Sequence, residues 1–229
     1  MKIVISRLFK FLSHGGLRGH FSQYGEDVFL HKFFRGKRNG YYIDIGAHHP
    51  FELSNTAHLW LSGWNGINVD ASAATIASFD KVRKADLNIH AAVVSSATSE
   101  KLSQIEFYSN EDIDNIATCD PELAKERGYK RSIKVPCRSL KSLVQEGSLR
   151  SSGQFDYLNI DIEGLDESVL EDINTWAMKP KVLMVEIYAQ TIRDMLNNNT
   201  VINLEKNDYK FIERTGHTAI FILDDLKLR

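Results

Sequence analysis

Short hydrophobic runs alternate with helix-like patterns along most of the chain, from about residue 22 onward. The runs 41–45, 66–70 and 157–162 are mostly apolar and lack the strict polar alternation of a half-exposed strand, which favours strands buried on both faces. Between the runs, apolar side chains recur every three or four residues, which predicts helices. This alternation is typical of a mostly parallel sheet with crossover helices on both faces.

The individual elements follow from the same pattern. Strands are predicted at 41–45, 66–70, 87–94, 105–108, 133–136, 157–162 and 181–187, and helices at 23–34, 54–61, 73–83, 139–145, 167–173 and 191–197. Two last strands, 209–213 and 218–223, are separated by a short turn and should pair antiparallel. We predict an α/β fold with a doubly wound, seven-stranded sheet of five parallel strands and a C-terminal antiparallel hairpin, the Rossmann-like layout of class I methyltransferases. The polar segment 110–131 is predicted to cover the site.

Length and composition restrict the possible partners. The 229 residues fit one domain, placed at 21–229 after a distinct segment, 1–20. The formal net charge of −2 argues against a nucleic-acid partner, because nucleic-acid-binding proteins are normally basic. Cys119 and Cys137 form no closely spaced pair, so neither a zinc knuckle nor a disulfide framework is predicted and a cytoplasmic location is expected. The sequence does not indicate an oligomeric state.

The first 20 residues differ in character from the rest. They carry no acidic side chain and four basic ones, which are Lys2, Arg7, Lys10 and Arg18. A basic amphipathic helix can lie on an anionic membrane surface, so peripheral contact with the inner face of a membrane is one interpretation. A helix packed on the domain is the favoured alternative.

Two strand ends suggest a cofactor site. The first strand ends in Asp44 and is followed by Gly46, and the second ends in Asp70, 26 residues after Asp44. A glycine after a buried strand permits the sharp turn that brings backbone amides to a ligand at the carboxyl edge of the sheet. In nucleotide-binding folds, an acid at the end of the second strand accepts hydrogen bonds from ribose hydroxyls. The pair predicts an adenosine-containing cofactor, with Asp44 facing a positive or hydrogen-donating group.

The residues after Gly46 separate two such cofactors. Ala47, His48, His49 and Pro50 stand where a dinucleotide pyrophosphate needs glycines and free amides. S-adenosylmethionine carries an ammonium and a sulfonium instead of a pyrophosphate, so it is the predicted cofactor. A nicotinamide-dependent oxidoreductase is kept as an alternative.

A third strand end carries candidate catalytic residues. Asp161 and Glu163 lie at the end of the predicted strand 157–162, and Glu186 ends the next strand. Paired carboxylates can act as a general base or as metal ligands. A divalent metal held by Asp161 and Glu186 is possible, but a metal-free base is favoured because a third ligand is not evident. His217, in the final turn, is a further catalytic candidate.

Several motifs, in a fixed order, resemble those of the FkbM family of S-adenosylmethionine-dependent methyltransferases. The resemblance covers about residues 22–223, and its motifs are Ser-Gln-Tyr-Gly-Glu-Asp at 22–27, Asp-Ile-Gly-Ala at 44–47 with Pro50, Ser-Asn-Thr at 54–56, Gly-Trp-Asn-Gly-Ile-Asn-Val-Asp at 63–70, Ala-Ala-Val at 91–93 and Ile-Asp-Ile-Glu-Gly at 160–164.

The resemblance carries functional implications for individual residues. It implies that Asp44, Gly46 and Ala47 hold the methionine end of the cofactor and Asp70 its ribose. The other residues that it places around the cofactor are Gln23, Glu26, Asn55, Ala71 and Ala91.

The resemblance also implies the reaction. It implies O-methylation, commonly of a sugar hydroxyl in a glycan, nucleotide sugar or natural product, with acceptor specificity in 110–131 and 190–208. The alternatives are a nucleic-acid or other small-molecule methyltransferase and a non-catalytic scaffold that binds the cofactor. The mild negative charge and the retained Asp161 and Glu163 argue against these alternatives.

Overall fold

The computed structural model describes residues 20–153 and 155–224. The described strands are β1 (Tyr41–Ile45), β2 (Asn65–Asp70), β3 (Leu87–His90), β4 (Ala92–Val94), β5 (Gln104–Tyr108), β6 (Ser132–Ser139), β7 (Tyr157–Ile160), β8 (Val182–Glu186), β9 (Tyr209–Thr215) and β10 (Thr218–Leu223). The described α-helices are α1 (Glu26–Phe33), α2 (Ala57–Leu61), α3 (Ala73–Val82), α4 (Ser96–Ser99), α5 (Pro121–Glu126), α6 (Leu140–Arg150), α7 (Ile192–Leu196) and α8 (Asn199–Lys206).

A seven-stranded sheet with the order β3-β2-β1-β7-β8-β10-β9 forms the centre of the molecule. The first five strands in this order run parallel, whereas β10 pairs antiparallel with both β8 and β9. The predicted α/β sheet with a C-terminal hairpin is therefore confirmed. The order reverses between β1 and β7, which opens a crevice at their carboxyl ends.

Apolar side chains cover both faces of this sheet. Ile43, Ile45 and Leu158 are fully buried in the cluster on one face, and Tyr42 and Tyr157 in the cluster on the other. Neighbouring positions on β1 and β7 thus point to opposite faces, as the pleat of a strand requires. Burial on both faces explains why these strands are continuous apolar runs in the sequence.

The predicted strand 87–94 is in fact two strands in two sheets. The chain bends at Ala91, whose backbone N–H donates to the carbonyl oxygen of Asp70 at 3.0 Å. After the bend, β4 leaves the central sheet and pairs parallel with β6 in a second sheet of order β4-β6-β5. The sequence could not distinguish the two because no turn residue such as glycine or proline marks the bend between His90 and Ala92.

Between β7 and β9, one helix prediction is corrected and one helix was not predicted. The segment predicted as the helix 167–173 consists of two 3₁₀ turns, Ser168–Leu170 and Ile173–Thr175. The Asp166 carboxylate accepts hydrogen bonds from the backbone N–H groups of Ile162 and Gly164, so it stabilises the preceding loop instead of capping a helix. Helix α8 was not predicted, although Asn198 caps it by accepting hydrogen bonds from two of its backbone amides.

The membrane interpretation of the N-terminal segment stays a prediction, because residues 1–19 lie outside the described residues. Within 20–153 and 155–224, no helix combines the length and the apolar character needed to cross a membrane.

Candidate active site

The loops after β1 and β7 meet at the carboxyl edge of the sheet. Gly46 follows β1 with a φ of 75°, and a Cβ at this position would lie 1.6 Å from the backbone oxygen of Asp161. Only glycine can occupy this point without displacing the second loop. Gly46 therefore brings the cofactor candidates after β1 against the catalytic candidates after β7.

Asp44 is held by the protein itself. Its side chain is buried, and its two carboxylate oxygens accept hydrogen bonds from Thr56 Oγ1 at 2.5 Å and Asn159 Nδ2 at 3.0 Å. Asn55 donates in turn to Asn159 Oδ1 at 3.0 Å. Burial raises the pKa of Asp44. Thr56 and Asn159 thus fix the orientation of the Asp44 carboxylate at the floor of the crevice, and its contact with the cofactor stays a prediction.

Asp70 faces a narrow inner cavity of about 70 Å³. Its oxygens accept the backbone N–H groups of His48 at 2.9 Å and Ser72 at 2.7 Å, and burial raises its pKa to about 6. The predicted residues that line this inner cavity are Gly46, Asp70, Ala71, Ala91, Asp161 and Glu163. Its far wall is mostly apolar and is made by Val69, Ala92, Val93, Phe107, Ala117 and Cys119.

A more polar outer cavity of about 230 Å³ lies next to the inner one. Five residues line both cavities, and they are Gly46, His48, Asn115, Asp161 and Glu163. The other predicted residues that line the outer cavity are Gln23, Asp44, Ala47, Asn55 and His217. Glu26 lines neither cavity and is buried at the start of α1, where one oxygen accepts the Tyr24 backbone N–H at 2.9 Å. Its contact with the cofactor stays a prediction.

Three carboxylates come together where the two cavities meet. Asp161, Glu163 and Glu186 each offer an oxygen within 4.8 Å of the others. Burial raises the pKa of Asp161 well above its ordinary value, and the nearby Glu186 raises it further. Burial, followed by repulsion from Glu163, raises the pKa of Glu186 to about 8. Glu163 is thus the third carboxylate beside Asp161 and Glu186, the pair that the sequence suggested for a metal.

The family comparison gives the class of protein that carries this site. The family described as "Methyltransferase FkbM domain" matches residues 44–211, well over half of the chain. The chain belongs to the FkbM methyltransferase family. The comparison with curated proteins gave no significant match. The matched range contains Asp44, Asp70 and the three carboxylates, so most of the site lies within the FkbM domain, while Gln23 and His217 lie outside the matched range.

In this FkbM domain, residues 109–131 between β5 and β6 form an insert along both cavities. Four insert residues line the inner cavity and three line the outer one, and together they are Asp114, Asn115, Ile116, Ala117, Cys119 and Arg127. Arg127 forms an ion pair with Glu163 at 2.6 Å, and Thr118 Oγ1 donates to the Glu163 carbonyl oxygen at 2.6 Å. The segment predicted to cover the site is therefore fastened to a candidate catalytic residue.

Strained backbone is concentrated around the outer cavity. His48, Leu53 and Glu163 have φ values of 54°, 53° and 52°, in the left-handed region that residues other than glycine seldom adopt. All three line the outer cavity. Such strain persists where the surrounding structure enforces it, and it is common at functional sites.

Arg127 and Tyr188 complete the FkbM-family site, and sequence reasoning missed both as site residues. Tyr188 donates a hydrogen bond to Glu163 Oε2 at 3.3 Å, and its ring centroid lies 4.8 Å from that of His217. His217 is exposed at the mouth of the outer cavity, with its backbone oxygen fixed by the Ile187 N–H. The only signal for Tyr188 was its place two residues after Glu186, and Arg127 lay in a loop without a pattern.

The raised pKa of Glu186 predicts a pH dependence of stability. Its folded-state pKa of about 8 exceeds its ordinary value of 4.5, so its stabilising contribution is complete below about pH 4.5 and is lost as the pH rises through about 8. We expect Glu186→Gln to flatten the fall in the free energy of unfolding across this window, measured by urea denaturation without ligand or divalent cation. Glu171→Gln, at an exposed position, is the control. If the free energy of unfolding fell equally steeply with pH in Glu186→Gln and in the wild type, the raised pKa of Glu186 would be disproved.

Proposed function

We propose that this protein transfers a methyl group from S-adenosylmethionine to a hydroxyl of a sugar-like acceptor. The observation that carries the proposal is the pair of cavities that share a wall containing Asp161 and Glu163. The inner cavity combines an apolar wall with acids, among them Asp70, and the outer cavity is more polar. A nucleoside and a hydroxylated acceptor would need this arrangement to bring their reacting atoms together.

The lining of the inner cavity has the chemistry that the nucleoside part of the cofactor requires. Its apolar wall suits an adenine ring, and Asp70 is positioned to accept ribose hydroxyls because each carboxylate oxygen has a second lone pair beyond the one that accepts a backbone N–H. When bound, S-adenosylmethionine supplies a methyl group activated by a positively charged sulfur. The carboxylates where the cavities meet favour a cation and disfavour a pyrophosphate, which argues against a nicotinamide cofactor.

Glu163 is the best placed proton acceptor for the acceptor hydroxyl. Arg127 and Tyr188 both donate to its Oε2, and Oε1 has no hydrogen-bond donor within the described residues. The free oxygen can accept the hydroxyl proton while the guanidinium balances the charge of the carboxylate. Asp161 and Glu186, whose pKa values are raised, are suited to hold a proton and to bind further hydroxyls.

The same three carboxylates also offer a metal-dependent version of the reaction. Asp161, Glu163 and Glu186 would be the ligands of a divalent cation, with oxygen donors of the kind that Mg²⁺ and Mn²⁺ prefer. A bound cation would lower the pKa of the acceptor hydroxyl. One oxygen of Glu186 is buried with no hydrogen-bond partner among the described residues, which supports this version.

The proposed cofactor site can be tested through Asp70. We expect S-adenosylhomocysteine to bind the wild type in calorimetry and to bind Asp70→Ala roughly 10- to 100-fold more weakly, because hydrogen bonds from the ribose to a carboxylate are lost. Asp70 is half-buried at a strand end, so circular dichroism should show an intact fold. Glu100→Ala, at an exposed position, serves as the control.

Methyl transfer is then measured from labelled S-adenosylmethionine to methyl glycosides, nucleotide sugars and glycans. Failure of the wild type to bind S-adenosylhomocysteine would overturn the proposal that S-adenosylmethionine is the cofactor. Binding without transfer to any of these acceptors would overturn the sugar acceptor and favour the scaffold alternative.

A further inference from the structure

Tyr188 presents a fixed aromatic ring to solvent beside the candidate active site. Its residue is 55% exposed, although large aromatic side chains usually lie buried. The hydroxyl is bound to Glu163 and the ring lies against His217, so the ring has a defined orientation. An exposed ring that is held in place is suited to contact a ligand.

Tyr188 lines two concave surfaces. One is the outer cavity, and the other is a wider groove of about 600 Å³. The remaining residues of this groove are Asp120, Glu122, Leu123, Lys125, Glu126 and Gly164. Glu163 lines the outer cavity, and the next residue in the chain, Gly164, lines the groove.

Gly164 allows helix α5 to form the side of the groove. It has a φ of 104°, and a Cβ at this position would lie 3.0 Å from Leu123 and 3.2 Å from Asp120. A side chain here would push α5 away from the loop that carries Glu163. The groove is thus built directly against the candidate catalytic loop.

The groove has the side chains that bind sugars. The carboxylate of Glu122 and the ammonium of Lys125 are exposed, and neither forms a hydrogen bond within the described part of the chain, so both are free to bind hydroxyls. The Tyr188 ring offers an apolar surface to the C–H face of a sugar ring. Polar groups beside an aromatic ring match a molecule whose rings have hydroxyl edges and apolar faces.

We infer that the groove is a second saccharide subsite, so that the acceptor contains at least two linked sugar units. The terminal unit enters the outer cavity beside Glu163, and the next unit rests on Tyr188 and contacts the groove. This inference rests on the proposed function, since it requires a sugar acceptor. It identifies the acceptor class as an oligosaccharide or glycan chain and not a single sugar.

The test compares acceptors of increasing length. Methyl glycosides of glucose, galactose and mannose are compared with the corresponding disaccharides and trisaccharides, with labelled S-adenosylmethionine as methyl donor. We expect kcat/KM to rise at least tenfold from one unit to two and to change little from two to three. The double variant Glu122→Ala/Lys125→Ala should lower kcat/KM for disaccharides roughly 5- to 30-fold and leave the values for methyl glycosides unchanged.

Three further variants distinguish a subsite from a general disturbance of the site. Lys130→Ala, exposed and outside the groove, should behave as the wild type. Tyr188→Phe should keep the preference for disaccharides because the ring remains, whereas Tyr188→Ala should lose it. Equal kcat/KM for one and two units would overturn the subsite and leave methyl transfer to sugars intact. Transfer to none of these sugars, with S-adenosylhomocysteine still bound, would overturn the sugar acceptor together with the subsite.

Discussion

Replacing Glu163 with glutamine is expected to lower kcat roughly 10²- to 10⁴-fold, the usual contribution of a general base. Glutamine has the same size and can still accept the hydrogen bond from Arg127, but it cannot take a proton at neutral pH. The affinity for S-adenosylhomocysteine should change little, because glutamine keeps the size of Glu163 in the lining of the inner cavity and keeps the hydrogen bond from Arg127. Single-turnover kinetics and calorimetry on the same preparation separate the two effects.

The control and the metal alternative belong to the same experiment. Glu171→Gln, exposed and distant in sequence from the strand ends, should retain full turnover. If the three carboxylates hold a divalent cation, turnover should require added magnesium or manganese and stop with a chelator, and Asp161→Asn and Glu186→Gln should each weaken this dependence. Full turnover of Glu163→Gln in the presence of chelator would rule out both roles for Glu163.

Replacing Arg83 with methionine is expected to lower the free energy of unfolding by about 3–5 kcal/mol, because several buried acceptors each lose a donor at about 1–3 kcal/mol, while the cost of burying the guanidinium charge is removed. Arg83 is fully buried and donates to Tyr42, Thr56, Asn68, Ser54 and the carbonyl oxygen of Pro50. Methionine fills much of the volume but leaves these acceptors without a donor. Urea denaturation measures the loss.

The effect of Arg83 should extend to the cofactor site. Thr56 accepts a hydrogen bond from Arg83 and donates one to Asp44, so the loop around Gly46 depends on the buried guanidinium. We expect the affinity for S-adenosylhomocysteine to fall as well. Arg35→Met is the matched control, because Arg35 is exposed and its change should alter stability by less than about 0.5 kcal/mol. Equal stability of Arg83→Met and Arg35→Met would contradict this account.

The central sheet could be predicted because burial on both faces produces an unmistakable pattern. Strand β1 was predicted with its observed bounds, and its neighbours β2, β7 and β8 within one or two residues at either end. The break at Ala91 could not be predicted, because it depends on where β6 passes and not on the residues at the bend. Local sequence fixes which residues are buried, whereas the choice between two sheets is made by distant contacts.

Some residues of the candidate site could likewise be predicted from the sequence, and others could not. The residues at strand ends, such as Asp70 and Asp161, could be found because their positions follow from the alternation of strands and helices. The role of Glu26 stays a prediction, because an acid in a helix's first turn can turn inward as easily as toward a ligand, and here it is buried. Arg83 and Arg127 were missed since their partners lie far away in the sequence, at separations of up to 41 and 36 residues.

The attachment of the insert to Glu163 has a consequence for enzyme engineering. Because Thr118 holds the backbone of Glu163 and Arg127 holds its side chain, the insert cannot be exchanged as an independent module. A graft of residues 109–131 from another methyltransferase would leave Glu163 without these two partners unless it carried a hydroxyl and a guanidinium at the same positions. Libraries that aim at new acceptors are better directed to Asn115 and Ile116, which line the outer cavity without contacting Glu163 through a side-chain hydrogen bond.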